Sequence, residues 1–342
     1  MKHFYLSSTD GISGICKYSS DFYNLVLKEK GYVFIDSNNS IATILSAIGS
    51  RDHVHIELGI FQKKEIELLF LMLKANYKNV TVTLHDAPLL KYPFHEFKNP
   101  LLNKLSKCLD IYGNSSSISP YIKKIKSIYT LSKKGAELVK KKYRVDEVHY
   151  LPHIIDTAEI EKSSRINKNF IYFGFIGRNK GLEYSLQLHE QLLIKFPAII
   201  FYVVGMPLGK EKTFYDYLKR RYKKNVEYAG YVPENQLGKI FEEATFALIP
   251  FKDYKFFTPF SGSILYSLKK GKIVLTNKVN AIPEIIENEK RGFFLSGSLK
   301  QDTAAITGIF DNTALQNKIK NEIYEYLLTN HSPTQVKKYF KE

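Results

Sequence analysis

Short runs of β-branched and aromatic residues alternate with helix-length amphipathic segments along this chain, and that order leaves few architectures open. In the first half the strand-like runs are His3–Leu6, Tyr32–Ile35, His53–Leu58, Val80–Leu84, Ser127–Leu131 and Val148–Leu151. Between them lie helical patterns at Tyr18–Lys30, Lys63–Asn76, Pro100–Ile111 and Lys133–Tyr143. The second half repeats the rhythm, with strands expected at Phe170–Ile176, Ala198–Val204, Val226–Tyr228, Phe246–Ile249 and Ile273–Leu275. Its helices are expected at Leu182–Lys195, Lys212–Tyr222, Asn235–Ala244 and Gly262–Lys270. Strands that alternate with helices are joined by crossovers, so the expected fold is α/β with doubly wound parallel sheets covered on both faces.

The 342 residues are enough for about two domains of ~150 residues. The polar stretch Asp156–Asn169 lacks core periodicity and is the natural linker. The expected division is 1–157, then 168–330, with 331–342 as a last helix packing back on the first domain. Two cysteines, Cys16 and Cys108, cannot build a disulfide framework or a multi-cysteine metal site. The first residues contain no signal-peptide pattern, and no apolar run approaches the ~18–20 residues of a membrane span. The expectation is a cytoplasmic protein that meets a membrane only peripherally, on the inner face.

Two stretches carry chemistry. Tyr172–Tyr184 is a buried strand, a glycine-flanked turn with Gly177, Arg178 and Lys180, and a helix start. Backbone N–H groups at such a turn face the mouth of the sheet, and two cations beside them suit a diphosphate; an ordinary solvated turn is the plainer reading. Phe257–Gly271 places Ser261, Gly262 and Ser263 at a helix start that closes on Gly271. In the first half, His85 and Asp86 stand at a strand end. By alternation His53, His55 and Glu57 share one strand face. Glu57 is either a carboxylate near a ligand hydroxyl or half of a buried polar pair. No third ligand with suitable spacing accompanies His55 and Glu57, so no metal site is expected there. His153 and His189 read as structural.

The order of these parts resembles a known family. Gly177-Arg-Asn-Lys-Gly181 before a helix, Val226-Glu-Tyr-Ala-Gly-Tyr-Val232, Ala247-Leu-Ile-Pro250, Ser261-Gly-Ser263 opening a helix, and Gly271-Lys-Ile-Val-Leu-Thr276 together resemble the donor domain of GT-B glycosyltransferases. The likeness is greatest to the family-4 branch. Gly11-Ile-Ser-Gly14, Val80–Asp86 ending in a histidine, and His149–Asp156 extend it into the first half. The resemblance implies two Rossmann-like domains facing a cleft and an enzyme that moves a sugar from a nucleotide sugar. It implies a donor site at Gly177, Gly230, Tyr231, Thr258, Ser261, Gly262, Ser263 and Glu284. Gly11, Ser13, Gly14, Glu57 and Asp86 would lie on the acceptor side, and His85, Arg178 and Lys180 would be catalytic. It further implies retention of anomeric configuration and, by analogy, a saccharide or lipid-linked acceptor in bacterial surface polysaccharide synthesis.

One departure matters. The family has two glutamates eight positions apart around the donor helix, and those places fall on Thr258 and Tyr266. Donor recognition is then altered, or Asp253 or Glu284 substitutes. A catalytically silent homologue acting as partner subunit or sugar-binding module is the alternative, and sugar-phosphate epimerisation on the same fold is a third reading. No Asp-x-Asp pair stands at a strand end, so no metal and no cofactor beyond the nucleotide-sugar co-substrate is expected.

The net charge of +16 asks for an anionic partner. Tyr121–Arg144 alone carries eight lysines and one arginine against Glu137. Lys123–Arg144 is therefore the expected contact with an anionic membrane, with a merely solvated basic face as the equal alternative. Nucleic acid is not expected, because the basic residues follow no nucleic-acid-binding motif.

Overall fold

In a computed structural model, the described residues are 1–8, 14–60, 62–90, 99–102, 105, 118–162, 166–207, 209–254 and 257–341. The chain forms two compact units: Met1–Asp156 with Lys255–Phe260 and Asn330–Glu342, and Thr157–Tyr254 with Ser261–Thr329.

The first unit begins with β1 (His3–Ser7), α1 (Gly14–Phe22), β2 (Val33–Asp36), α2 (Ile41–Ala47) and β3 (His53–Leu58). It continues with α3 (Lys63–Lys74), β4 (Val80–Leu84), β5 (Ser127–Thr130), α4 (Lys133–Tyr143) and β6 (Val148–Tyr150). The six strands are parallel in the order β2-β1-β3-β4-β5-β6. Strand side chains alternate between faces. Val54, Ile56, Val82 and Leu84 therefore pack with Ile44, Leu69, Met72 and Val139 of α2, α3 and α4. Tyr5, Tyr129 and Leu151 face the other way, toward Tyr18, Phe22, Val336 and Phe340. Fully burying one such side chain contributes about 1.5–3 kcal/mol.

Two elements depart from expectation. Where one helix is expected over Tyr18–Lys30, α1 starts at Gly14 and gives way to a π-helical turn at Tyr23–Leu27. Helix α2 had no counterpart in the sequence reading, although Ser40 caps it by accepting from the Thr43 N–H at 3.1 Å. The helix expected at Pro100–Ile111 lies largely outside the described residues.

The second unit runs β7 (Phe170–Phe173), α5 (Leu182–Lys195), β8 (Phe201–Val204), α6 (Lys212–Arg221), β9 (Val226–Gly230) and α7 (Glu234–Glu242). Then come β10 (Phe246–Leu248), α8 (Gly262–Lys269), β11 (Ile273–Thr276), α9 (Ile282–Ile285), β12 (Gly292–Phe294), α10 (Leu299–Phe310) and α11 (Thr313–His331). Its parallel sheet is ordered β12-β11-β10-β7-β8-β9. The chain then returns to the first unit through α12 (Pro333–Tyr339). Phe340 meets Phe22 edge-on at 5.3 Å and His55 at 5.0 Å, and Tyr129 donates its hydroxyl to the Lys341 carbonyl.

Strand order has a consequence for function. In the second unit it reverses between β7 and β10, and in the first between β1 and β3. Loops leaving the carboxyl ends of the strands at such a reversal diverge to opposite faces and open a crevice, which is where doubly wound folds bind ligands.

Candidate active site

The second unit's reversal is occupied by the turn that the sequence singles out. It follows β7 directly and leads into α5. Gly181 caps α5 in a left-handed conformation (φ +79°), and a Cβ there would come within 2.0 Å of the Pro250 carbonyl oxygen. Only glycine lets the β7 and β10 loops approach this closely. Gly174 does the same for α8: at φ +129° its missing Cβ leaves room for the Ser263 hydroxyl, which would otherwise lie 2.4 Å away. The Lys180 N–H donates to the Gly177 carbonyl at 2.9 Å and closes the turn.

The two cations are held loosely. Arg178 has 71% of its side chain exposed, with Nε 4.0 Å from Glu211 and the guanidinium 4.6 Å above the Phe214 ring. A pair this open contributes little to stability. The Lys180 ammonium lies 4.8 Å from the Phe251 ring centre and 5.5 Å from that of Tyr254, both in the segment after β10. Thus both charges are presented on aromatic faces, and Lys180 forms no close ion pair among the described residues.

Ser261 accepts from the Ile264 N–H at 3.3 Å and caps α8. At exposed Gly262 the place of a Cβ is open space, so a ligand can reach the backbone there. Tyr231 follows β9 and is 57% exposed. Gly230 (φ +68°) accepts from the Gly205 N–H at 2.7 Å. Glu284 sits on α9, where its carbonyl accepts from the Tyr326 hydroxyl at 3.4 Å.

The places where the resemblance calls for glutamates do other work. Tyr266 lies on α8 with its ring 4.8 Å from Phe173 and 5.3 Å from Phe241, and burial pushes its hydroxyl pKa up. Thr258, expected with the donor-binding residues, belongs instead to the first unit: it is buried, and its N–H donates to the Ala87 carbonyl at 2.7 Å. It is not grouped with Ser261, Gly262 and Ser263. The reason is that the chain crosses units at this short segment, which spacing alone does not reveal.

In the first unit, Gly11 and Ser13 lie outside the described residues, and Gly14 opens α1. Asp86 accepts the Ile60 N–H at 2.8 Å, tying the end of β4 to the loop after β3. Glu57 is not placed to meet an acceptor hydroxyl. It has no exposed surface, and both carboxylate oxygens are engaged: Oε1 at 3.2 Å from His55 Nε2, Oε2 at 2.7 Å from His85 Nε2. Of the two readings open from sequence, the buried polar pair is the one found, with a second imidazole added. Burial raises the Glu57 pKa, yet hydrogen bonds from both imidazoles outweigh it and bring the carboxyl down to about 2. The sequence reading missed Thr81 and Thr83, whose hydroxyls lie 2.8 Å from His55 Nδ1 and 2.9 Å from His55 Nε2. The signal was present, since threonines alternate with valines in Val80-Thr-Val-Thr-Leu84 as His53, His55 and Glu57 do on β3.

His85 stands at the end of β4 with its ring edge-on to Tyr18 at 4.9 Å, and Tyr18 in turn meets His153 at 4.8 Å. Burial lowers His53 and His153 to about 3, and His153 Nδ1–H donates to the Ile154 carbonyl at 3.0 Å. His189 is a buried residue of α5 and lies 3.2 Å from the Ile199 carbonyl.

Two doubly wound parallel units, one with a cationic glycine turn at its strand reversal, define the GT-B class of glycosyltransferases. Residues 156–326 match the model of the glycosyl transferases group 1, half of the chain, and the protein belongs to that family. Solved structures agree on the fold at low identity. HepE of Anabaena in complex with UDP and glucose aligns with a TM-score of 0.73 at 12% identity, over 99% of this chain and 97% of that one. A glycosyltransferase of Rickettsia africae gives 0.67 at 13%, over 98% and 96%. A mutant of S. aureus TarM in complex with fondaparinux, alpha-GlcNAc-glycerol and UDP gives 0.64 at 14%, over 87% of this chain. The present chain spans 57% of the length of that TarM structure. No curated protein matches it.

Proposed function

We propose that the protein transfers a sugar from a nucleotide-sugar donor to a saccharide or lipid-linked saccharide acceptor, in the synthesis of a bacterial surface polysaccharide. The observation that carries this reading is the placement of Arg178 and Lys180 at the strand reversal of the second unit. The departing nucleoside diphosphate gains negative charge as the glycosidic bond breaks. A planar guanidinium, an ammonium and the N–H groups at the start of α8 stabilise that charge without a metal ion. UDP in the structures of HepE and TarM supports a nucleoside diphosphate as the ligand. The family likeness assigns His85, in the first unit, a role at a sugar ligand. Retention of configuration is part of the proposal and rests on the family-4 likeness.

A thermal-shift panel of nucleoside diphosphates tests the reading. A ligand at 100 times its dissociation constant stabilises the protein by about 2.7 kcal/mol. The expected result is a shift with at least one diphosphate that shrinks in Arg178→Ala and Lys180→Ala; no shift with any nucleotide leaves the silent-homologue reading in its place. Thr258 and Tyr266 favour that second reading, because neither presents a carboxylate where the family has one.

The basic face of α4 is assigned to anionic head groups. Lys133, Lys134, Lys140 and Lys141 are exposed, while Gly135, Ala136 and Val139 are buried against the unit. Among the described residues no helix is long and apolar enough to cross a membrane. Each basic side chain near such a surface contributes about 1 kcal/mol. Wild-type protein should sediment with anionic vesicles at low salt, and the Lys140→Glu/Lys141→Glu variant should not.

A further inference from the structure

We infer that Glu57 is a positioning residue that acts through His85, fixing which imidazole nitrogen meets the sugar and restricting that contact to a group that brings its own hydrogen. The inference rests on the proposed function in one respect, that His85 faces a sugar ligand. Everything else follows from the polar array under the end of β4.

A carboxylate can only accept hydrogen bonds. Glu57 is ionised, so the nitrogens at 3.2 Å and 2.7 Å from its oxygens, Nε2 of His55 and Nε2 of His85, both carry hydrogen. His55 then has Nδ1 left as its acceptor, 2.8 Å from the Thr81 hydroxyl. Thr81 owns one hydrogen and gives it to His55; it therefore accepts from His53 Nε2, at 3.1 Å. The Thr83 hydroxyl also lies 2.9 Å from His55 Nε2, so that hydrogen is shared between Thr83 and Glu57, and the array runs in one direction, from His53 through Thr81 and His55 to Glu57. The pairing of β3 with β4 sets this up, because the register places His55 beside Thr81 and Glu57 beside Thr83.

Glu57 therefore has one oxygen committed inward to His55, and the other fixes His85. His85 is nine-tenths buried, its backbone N–H donates to the Leu58 carbonyl at 2.9 Å, and its ring is held edge-on to Tyr18. With Nε2–H turned toward Glu57, the remaining nitrogen is Nδ1, which has no hydrogen-bond partner among the described residues. In the neutral ring this nitrogen is a bare acceptor. It takes the O–H of a sugar hydroxyl and repels a phosphate oxygen, which brings no hydrogen. Phe340, edge-on to His55, sets apolar surface beside the array.

Nitrogen-15 spectra of the full-length protein with labelled histidine, recorded at pH 8, read the tautomer directly, with His85→Gln identifying the signal. The expected wild-type state is a single His85 form with hydrogen on Nε2. Glu57→Gln has one oxygen and one amide NH2 where Glu57 had two acceptors, and a mixed or inverted His85 tautomer should appear. Release of UDP from UDP-glucose, with water taking the glucosyl group, should fall on the order of 10- to 100-fold in Glu57→Gln, while the dissociation constant for UDP alone stays within about twofold. Hydrogen on Nδ1 in the wild type overturns the inference, as does an unchanged tautomer with unchanged turnover in Glu57→Gln. Should Glu57→Gln not fold, the wild-type tautomer still decides. If the wild type neither binds UDP nor consumes a nucleotide sugar, the proposed function fails, and the spectra judge the array separately.

Discussion

The two strand reversals of this molecule treat charge in opposite ways. Near the end of β3, beside the first reversal, Glu57 has no exposed surface and two imidazole partners. At the end of β7, Arg178 is mostly exposed, with one carboxylate partner at 4.0 Å. Desolvation explains the contrast. A buried ion is tolerable only when its hydrogen bonds are complete, and completeness makes the group rigid and unavailable to a ligand. An exposed cation costs little to display and stays free to close on a polyanion. The first arrangement suits orienting another group, and the second suits seizing charge that appears and leaves.

The largest effect that would break this comparison is on stability. His55→Ala removes one of two partners from a buried carboxylate and should cost about 3–5 kcal/mol in chemical denaturation; a loss under 1 kcal/mol would mean that Glu57 is solvated or protonated. Acid should act on the same region. His53 and His153 are held at about 3, below their unfolded value of 6.5, so below pH 6.5 the unfolded chain binds protons that the folded one does not. Stability is fully present above 6.5 and falls as pH drops from there toward 3, by up to about 2–3 kcal/mol between pH 7 and 5.5. Glu57 adds to the loss only below about 4.5, as pH falls toward its folded value of about 2. Denaturant midpoints that are level from pH 7 to 5.5 would contradict this.

In the second unit the expected effects are smaller and fall on binding. Arg178→Ala should weaken nucleoside diphosphate binding by about 1.5–3 kcal/mol, read by calorimetry, with stability changed by less than about 0.5 kcal/mol. Equal losses of stability and affinity would show that the arginine is structural. Ser261→Ala removes the cap of α8 and should cost about 1 kcal/mol, which thermal unfolding can resolve.

Much of the fold was legible in the residues, because parallel strands buried on both faces are continuous apolar runs and their crossovers are amphipathic helices. Lys63–Lys74, Lys133–Tyr143 and Leu182–Lys195 fall where periodicity puts them. Helix α2 was less visible, since its seven residues hold one fully buried side chain, Ile44. At the site, local patterns were readable and partnerships were not. The glycine turn with Arg178 and Lys180 is contiguous in sequence, whereas Glu57 and His85 are joined through the register of β3 against β4.

By themselves, the residues determined what each segment can be: a strand with polar groups on one face, a turn of glycine and cations, a helix opened by serine. Tertiary structure alone decided which segments meet. It placed the glycine turn at the reversal of strand order, assigned Thr258 to the first unit, turned Tyr266 among aromatic rings and enclosed Glu57 between two imidazoles. Propensity and periodicity act over a few residues, whereas burial and hydrogen-bond completion depend on neighbours that only the folded chain brings together.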